Sequence, residues 1–342
     1  MFTKVGLDLG YANITISDVS MGIYREPSIA LINKETRRIV SVGNKAIVAS
    51  ENISADDSVL VRPFKNGLLF DRQITEGVLE NAIGAILPAE RIRCVIGVPS
   101  DILSKQEREL FKMMRESGVT DCYSVNRALA ALVGAGYSPL MSVISVNVGA
   151  SSTEVLILHR GEIIYSAREE VGGEDFDRAV KNYILEQGDV NISLSVARAI
   201  KERLGAVWQG RESESIEIEG TLSLTGNKVR MPVTTEDIVG VFEKPVHRLL
   251  LAIADGVKKI PLDVVEEIFE NGIVLTGGGS LIYGLDVMTN KVLGIPVTQP
   301  DDPMDSVAKG LSRINSYIPI RIRSNNKNIT GQIAKYYESR KA

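Results

Sequence analysis

A glycine turn between two apolar strands constrains this chain more than any other feature, because it occurs twice. Residues 5–16 read V-G-L-D-L-G-Y-A-N-I-T-I. The pattern predicts a hairpin: strand Lys4–Leu9, a tight turn at Gly10–Asn13, strand Ile14–Ser17. Gly10 can adopt positive φ and leaves backbone N–H groups open toward an anion. Asp8, at the strand end, would lie beside that anion and could hold Mg²⁺ through its waters. Alone, a D-x-G is more often an ordinary turn. The same plan returns over residues 143–168: strand Val143–Val148, strand Thr153–Leu158, a turn at Arg160-Gly161, then Ile163–Arg168. The second copy, N-V-G-A-S-S-T-E-V, stands against D-L-G-Y-A-N-I-T-I. Two α/β halves built this way and facing each other would bring both turns to one cleft.

With 342 residues, the chain is long enough for two domains or one large one, burying roughly 75% of its unfolded surface. Its net charge of −4 argues against a general nucleic-acid binder. The two cysteines, Cys94 and Cys122, fit no metal-ligand spacing and suggest a reducing compartment. No apolar stretch approaches the roughly 20 residues of a spanning helix. Met1–Gly6 runs straight into a strand, so no signal peptide is expected. The expectation is a cytoplasmic protein.

Between the two hairpins the pattern alternates. Short β-like runs at Ile23–Arg25, Ser28–Ile32 and Ile39–Val42 precede a turn at Lys65-Asn66-Gly67 and a helix over Thr75–Ile86. Cys94–Val98 reads as a buried strand stopped by Pro99. Ser104-x-x-Glu107 resembles a capping box opening a helix to Ser117. Cys122–Val125 is a strand and Ala128–Gly134 a small-residue helix. After the second hairpin, Gly172-Gly173 precedes a helix near Asp175, a setting that suits an anion. Asp175–Leu185 and Leu194–Leu204 read as helices, Glu212–Val233 as an antiparallel ribbon, and Thr234–Val257 as one long helix capped by Thr234. Strand Ile273–Leu275 leads into Thr276-Gly277-Gly278-Gly279-Ser280, where consecutive glycines let backbone approach a ligand. Beyond Arg313 the chain turns basic, with Arg321, Arg323, Lys327, Lys335, Arg340 and Lys341. This predicts a partly disordered tail, with an acidic lipid surface as a candidate contact.

These motifs occur together and in order. V-G-L-D-L-G-Y-A-N, R-E-P-S-I-A-L, R-P-F-K-N-G, V-I-G-V-P-S, V-G-G-E-D-F-D, G-I-V-L-T-G-G-G-S-L-I-Y-G-L-D and V-A-K-G (residues 307–310) closely resemble the MreB branch of bacterial actins over residues 1–312. The resemblance implies the actin-like, ribonuclease H-like α/β fold shared with heat-shock chaperone ATPases and sugar kinases. It implies two lobes, four subdomains and a nucleotide cleft between the lobes. Lobe I would span 1–145, with a small subdomain at about 29–65. Lobe II would span 146–312, with one at about 181–270, and 313–342 would be the tail. The resemblance further implies ATP and Mg²⁺ as cofactors and self-association into protofilaments, which in the family lie on the membrane and guide cell-wall synthesis. By the same resemblance, Asp8 (also the metal candidate), Gly10, Tyr11, Ala12 and Asn13 match the first phosphate loop. Asn147, Gly149, Ser151, Ser152 and Thr153 match the second. Gly172, Gly173, Glu174 and Lys201 match the ribose and base side, and Gly277, Gly278, Gly279 and Ser280 the adenosine loop.

The departures carry as much information. Tyr11 stands where the family has Thr. Asn147 replaces the Asp of D-I-G-G-G-T-T and removes a charge from the Mg²⁺ shell. Asn126, Arg127 and Ala128 replace Glu-Glu-Pro, in which one Glu orients or activates water, and Arg198 replaces a ribose-side Glu. Neither Asn nor Arg can accept the proton, and such a loss costs on the order of 10²–10⁴ in rate. No residue is therefore assigned as catalytic. Met1–Lys4 is too short for an amphipathic membrane helix, and the Leu87–Arg91 loop holds one large apolar residue. The expectation is a filament-forming protein for cell shape or intracellular organisation with weak or absent hydrolysis. The alternatives are a non-polymerising adaptor on the same fold, and a kinase or chaperone-like ATPase.

Overall fold

In the computed structural model, residues 3–18, 22–54, 56–65, 68–69, 71–84, 91–319 and 327–341 are described. The turns at 66–67, most of the loop at 87–91, and Arg321 and Arg323 lie outside them.

The first hairpin forms as the glycine pattern requires. Strands β1 (Thr3–Leu9) and β2 (Asn13–Asp18) pair antiparallel, with Asp8 opposite Thr15, and β3 (Gly22–Pro27) continues the meander. On the other side of β1 runs β4 (Ile92–Val98), parallel, and beyond it β5 (Val119–Asn126), also parallel. Parallel neighbours need long crossovers, which residues 28–91 and 99–118 supply. β4 is buried at every position, as the apolar run Cys94–Val98 implies, and Arg93 is buried with it.

A short helix, α1 (Arg127–Gly134), then leads into lobe II. There β6 (Val143–Val148), β7 (Thr153–His159) and β8 (Glu162–Glu169) form a second antiparallel meander. Strands β9 (Ile273–Thr276) and β10 (Val297–Thr298) lie parallel beyond β6. The two sheets therefore share one order, β3-β2-β1-β4-β5 and β8-β7-β6-β9-β10. The repeat is one of topology, not only of letters. In each lobe a small three-stranded sheet is inserted after the third strand. The first is made by Ala30–Asn33, Ile39–Val42 and Ser58–Val61, the second by Val190–Asn191, Ser215–Leu222 and Lys228–Thr234. Helices α2 (Gly173–Gly188) and α3 (Leu194–Leu204) flank the second insertion.

The lobes are joined by α4 (Ser306–Tyr317), which crosses α1 at backbone contact. A Cβ on Gly134 would fall 1.7 Å from the Ser306 carbonyl oxygen, and one on Gly310 1.7 Å from that of Ala130. Only glycine permits this crossing. Asn315, buried on α4, donates to the carbonyls of Val5 (2.9 Å) and Arg93 (2.8 Å) and ties the helix to β1 and β4. Around this joint a shared core gathers Val95, Leu129, Leu156, Val274 and Leu311 from both lobes.

Three sequence expectations are corrected. The helix drawn from Thr234 to Val257 is two, Thr235–Val239 and Glu243–Val257. Pro245 has no N–H and fits only a first turn, so a new helix must start just before it. Thr234 does cap the first piece, accepting from the Asp237 N–H at 3.2 Å. Ser104 is not a cap: the cap residue is Leu103, whose N–H donates to Gln106 Oε1 at 3.3 Å. The basic tail is not loose over residues 327–341. Lys327–Asn328, here β11, adds in parallel to the edge of β5, and α5 (Ile333–Lys341) packs against α4. Ile329, Ile333 and Tyr336 are buried in the shared core. Ile333 and Tyr336 share one face of α5 and Ile329 precedes the turn that opens it, a short apolar signal that the surrounding charges obscure. Among the described residues, no helix is long and apolar enough to cross a membrane.

Candidate functional site

The two turns face one another across a cavity of about 470 Å³ between the lobes. Gly10 and Gly149 line it from opposite walls, and their local geometry matches. A Cβ on Gly10 would meet the carbonyl oxygen of Asn13 at 2.6 Å; one on Gly149 would meet that of Ser152 at 3.0 Å. Each turn thus closes over the carbonyl three residues on. Positive φ, expected at Gly10, is not used there. It is used at Gly277 (φ +86), where a Cβ would lie 2.3 Å from the Val148 carbonyl oxygen.

Of the expected site residues, Asp8, Gly10, Tyr11, Ala12, Asn13, Asn147, Gly149, Ser151, Ser152, Gly173, Lys201, Gly277, Gly278 and Gly279 line the cavity. Four others do not. Thr153 donates to the Val171 carbonyl at 2.7 Å, and the Ser280 hydroxyl donates to the Gly277 carbonyl at 2.7 Å, so both turn inward and hold loops in place. Gly172 is packed behind the second turn: its Cβ would meet Ser152 N at 2.7 Å. Glu174 pairs with Arg178 at 3.1 Å and stands beside the Tyr11 hydroxyl, whose pKa burial and that carboxylate both raise. Tyr11 is further held by Arg62, stacked 4.8 Å from its ring centre and donating to its carbonyl at 2.9 Å. The bulky residue in the first loop is therefore a built contact reaching from lobe I toward α2.

Sequence reading missed Arg25 and Glu202, which also line the cavity. Glu202 lies on α3 one turn beyond Arg198, at the spacing that puts both on one face. Arg198 pairs with buried Asp177 at 3.2 Å, and Lys201 pairs with the same carboxylate at 2.7 Å while donating to the Gly173 carbonyl at 3.1 Å. The lining carries the cations Arg25, Arg127, Arg198 and Lys201 beside Asp8 and Glu202, and each cation rests on a carboxylate: Arg25 on Asp305, Arg127 on Asp8 and Glu154, Arg198 and Lys201 on Asp177.

The changed residues at the β5–α1 junction are firmly placed. The Asn126 side chain caps α1, accepting from the Leu129 N–H at 3.1 Å, and its amide donates to Ser166 Oγ across the lobes at 2.9 Å. Its backbone N–H donates to Thr330 Oγ1 at 2.9 Å, so the C-terminal segment helps hold this junction. Arg127 is only 8% exposed at its side chain and lies between Asp8 (3.2 Å) and Glu154 (3.2 Å). Burial raises the Asp8 pKa, with the guanidinium opposing it. Burial pushes Glu154 up to about 7.

Glycine-framed turns on both walls, with basic side chains along the lining, suit the phosphates of a nucleotide. A divalent cation fits this donor set poorly. Asp8 is engaged by a guanidinium, and Asn147 brings no charge and shares the Thr276 hydroxyl with the Val146 carbonyl. Among the described residues no cluster of three His, Cys, Asp or Glu side chains could hold a metal.

Two duplicated α/β sheets with small insertions, closed on a phosphate-suited cleft, define an actin-like protein. The description MreB/Mbl protein matches residues 2–321. The chain belongs to that family. It is 29% identical to the cell shape-determining protein Mbl of Bacillus cereus over 318 residues, covering 91% of this chain and 95% of the relative. It is 28% identical to the cell shape-determining protein MreB of Escherichia coli over 328 residues, covering 91% and 92%. Among solved structures, MreB5 of Spiroplasma citri bound to ADP superposes with a TM-score of 0.86 at 22% identity, over 92% of this chain and 96% of that one. The MamK double helical filament superposes with a TM-score of 0.80 at 23% identity, over 92% and 99%.

Proposed function

We propose that this chain is a nucleotide-binding, filament-forming actin of the cell-shape or intracellular-organising kind, in which hydrolysis is weak or absent. One observation carries the second half. Where the family's water-activating acid is expected, the Asn126 side chain is fully engaged in capping and cross-lobe bonding, and Arg127 has no acceptor to offer. The first half is supported by family membership, by relatives named cell shape-determining proteins, and by fold neighbours solved with ADP, with AMPPNP and as a double helical filament. In this reading nucleotide acts as a ligand joining the lobes, its phosphates held by the turns at Gly10 and Gly149. Filament formation follows binding and needs no turnover.

Negative-stain microscopy and sedimentation over a range of protein concentrations, with ATP, with a non-hydrolysable analogue and with none, test this. Filaments of equal abundance with ATP and with the analogue are expected. Polymer that forms with ATP and fails with the analogue refutes it, and nucleotide binding without polymer under any condition favours an adaptor. Contact with an acidic membrane through Lys335 and Arg340 is a finer part of the proposal. Sedimentation of a Lys335→Gln, Arg340→Gln variant with anionic liposomes checks it, because cutting after residue 312 would split α4. Undiminished binding by that variant removes the membrane role.

A further inference from the structure

Arg127 lies deeper in the cleft than a surface cation needs to be. Its Nε is 3.2 Å from Asp8 Oδ1 and its Nη1 3.2 Å from Glu154 Oε1. Nη2 donates to the carbonyls of Leu9 (3.2 Å) and Gly97 (3.4 Å). Leu9 immediately precedes the first turn, Gly97 is on β4, and Glu154 is on β7 of the other lobe. Two carboxylates and two carbonyls form an all-oxygen surround, the donor chemistry that a hard divalent cation takes in other proteins. Here a side chain of this same chain occupies it. The guanidinium also borders the cavity, so its charge faces any phosphate seated between the turns.

We infer that Arg127 is the resident cation of the cleft, and that nucleoside di- and triphosphates bind here without a divalent metal. The inference rests on the nucleotide reading above. Three features fit together. A metal brought to Asp8 would meet a fixed positive charge already paired there. Asn147 supplies no compensating carboxylate. Four cationic side chains, Arg127 with Arg25, Arg198 and Lys201, already line the cavity on fixed carboxylate partners and face the space between the turns. A guanidinium is always charged, and with its N–H groups turned to Glu154, Leu9 and Gly97 this one acts on phosphate through its charge. It cannot be removed by a chelator.

The test is a titration of the full-length protein with fluorescent ADP and ATP analogues, once in excess magnesium and once in EDTA. Dissociation constants agreeing within about threefold are expected. Weakening of about tenfold or more in EDTA overturns the inference while leaving nucleotide binding intact. Absence of binding in both buffers overturns the nucleotide reading itself, and the inference with it. As a second arm, Arg127→Gln is expected to weaken binding in EDTA by about tenfold or more; unchanged binding assigns the cation role elsewhere and refutes the inference. Should that variant fail to fold, the comparison on the unaltered protein still decides.

Discussion

Replacing Arg127 with Met should destabilise the protein in a strongly pH-dependent way. The guanidinium is the only ion-pair partner that Asp8 and Glu154 have among the described residues, and Glu154 is 2% exposed at its side chain. Breaking a buried pair by removing one member typically costs about 3–5 kcal/mol, because the remaining charge is left uncompensated. The unaltered protein already carries part of that burden. The Glu154 pKa is raised from 4.5 to about 7, which corresponds to roughly 3 kcal/mol against the ionised form. For a carboxylate with a raised folded-state pKa, stability is full below the unfolded value. It falls as pH rises from near 4.5 through 7. Without Arg127 the Glu154 pKa rises further and the loss extends to higher pH. The variant's penalty should therefore be largest near pH 8 and shrink toward pH 5. At about 2–4 °C per kcal/mol for a lobe-sized unit, the melting temperature should drop on the order of 10 °C at the higher pH. Thermal unfolding followed by circular dichroism across this range is the assay. Adding Glu154→Leu should restore part of the loss, since an apolar pair of similar volume is often tolerated. A single variant melting within about 2 °C of the parent at the higher pH, or a penalty equal at both ends, would refute the reasoning.

Gly310→Ala should cost about 3 kcal/mol, because its Cβ would lie 1.7 Å from the Ala130 carbonyl oxygen and force α1 and α4 apart. Urea midpoints measure this, with Gly84→Ala as the control, since a Cβ there meets open space. Ile333→Asp should detach α5 and β11 from the shared core and speed proteolysis within residues 327–341, where Ile333 is now buried. Because Thr330 accepts from the Asn126 N–H, amide exchange at Asn126 should rise in that variant. Unchanged exchange would show that the segment does not hold the junction.

The duplicated hairpin was legible because a glycine between two apolar strands has few other meanings. The strand order of each sheet was not, since it depends on which distant strand settles beside β1 or β6. Charge in the last 30 residues hid Ile329, Ile333 and Tyr336, whose burial depends on an open edge of β5 that only the fold creates. Pro245 was a readable break in a helix that periodicity alone ran through. In the cleft, Gly10, Gly149, Gly173, Gly277, Gly278, Gly279 and Lys201 could be placed by motif, but Gly172 packs behind the second turn, and Ser280 and Thr153 turn to loop carbonyls rather than to the cavity. Sequence showed that Arg127 could not serve as a base. Its partners could not be read, because Asp8 and Glu154 come from opposite lobes and different strands.

Single-turnover analysis of bound nucleotide tests the central claim most directly. The purified protein is incubated with radiolabelled ATP under polymerising conditions, and the nucleotide that sediments with it is extracted and separated. The account predicts that the label returns as ATP, with filaments present and no phosphate released above background. Recovery of the label as ADP, with phosphate appearing as fast as in a family member that keeps its Glu-Glu-Pro, would contradict it.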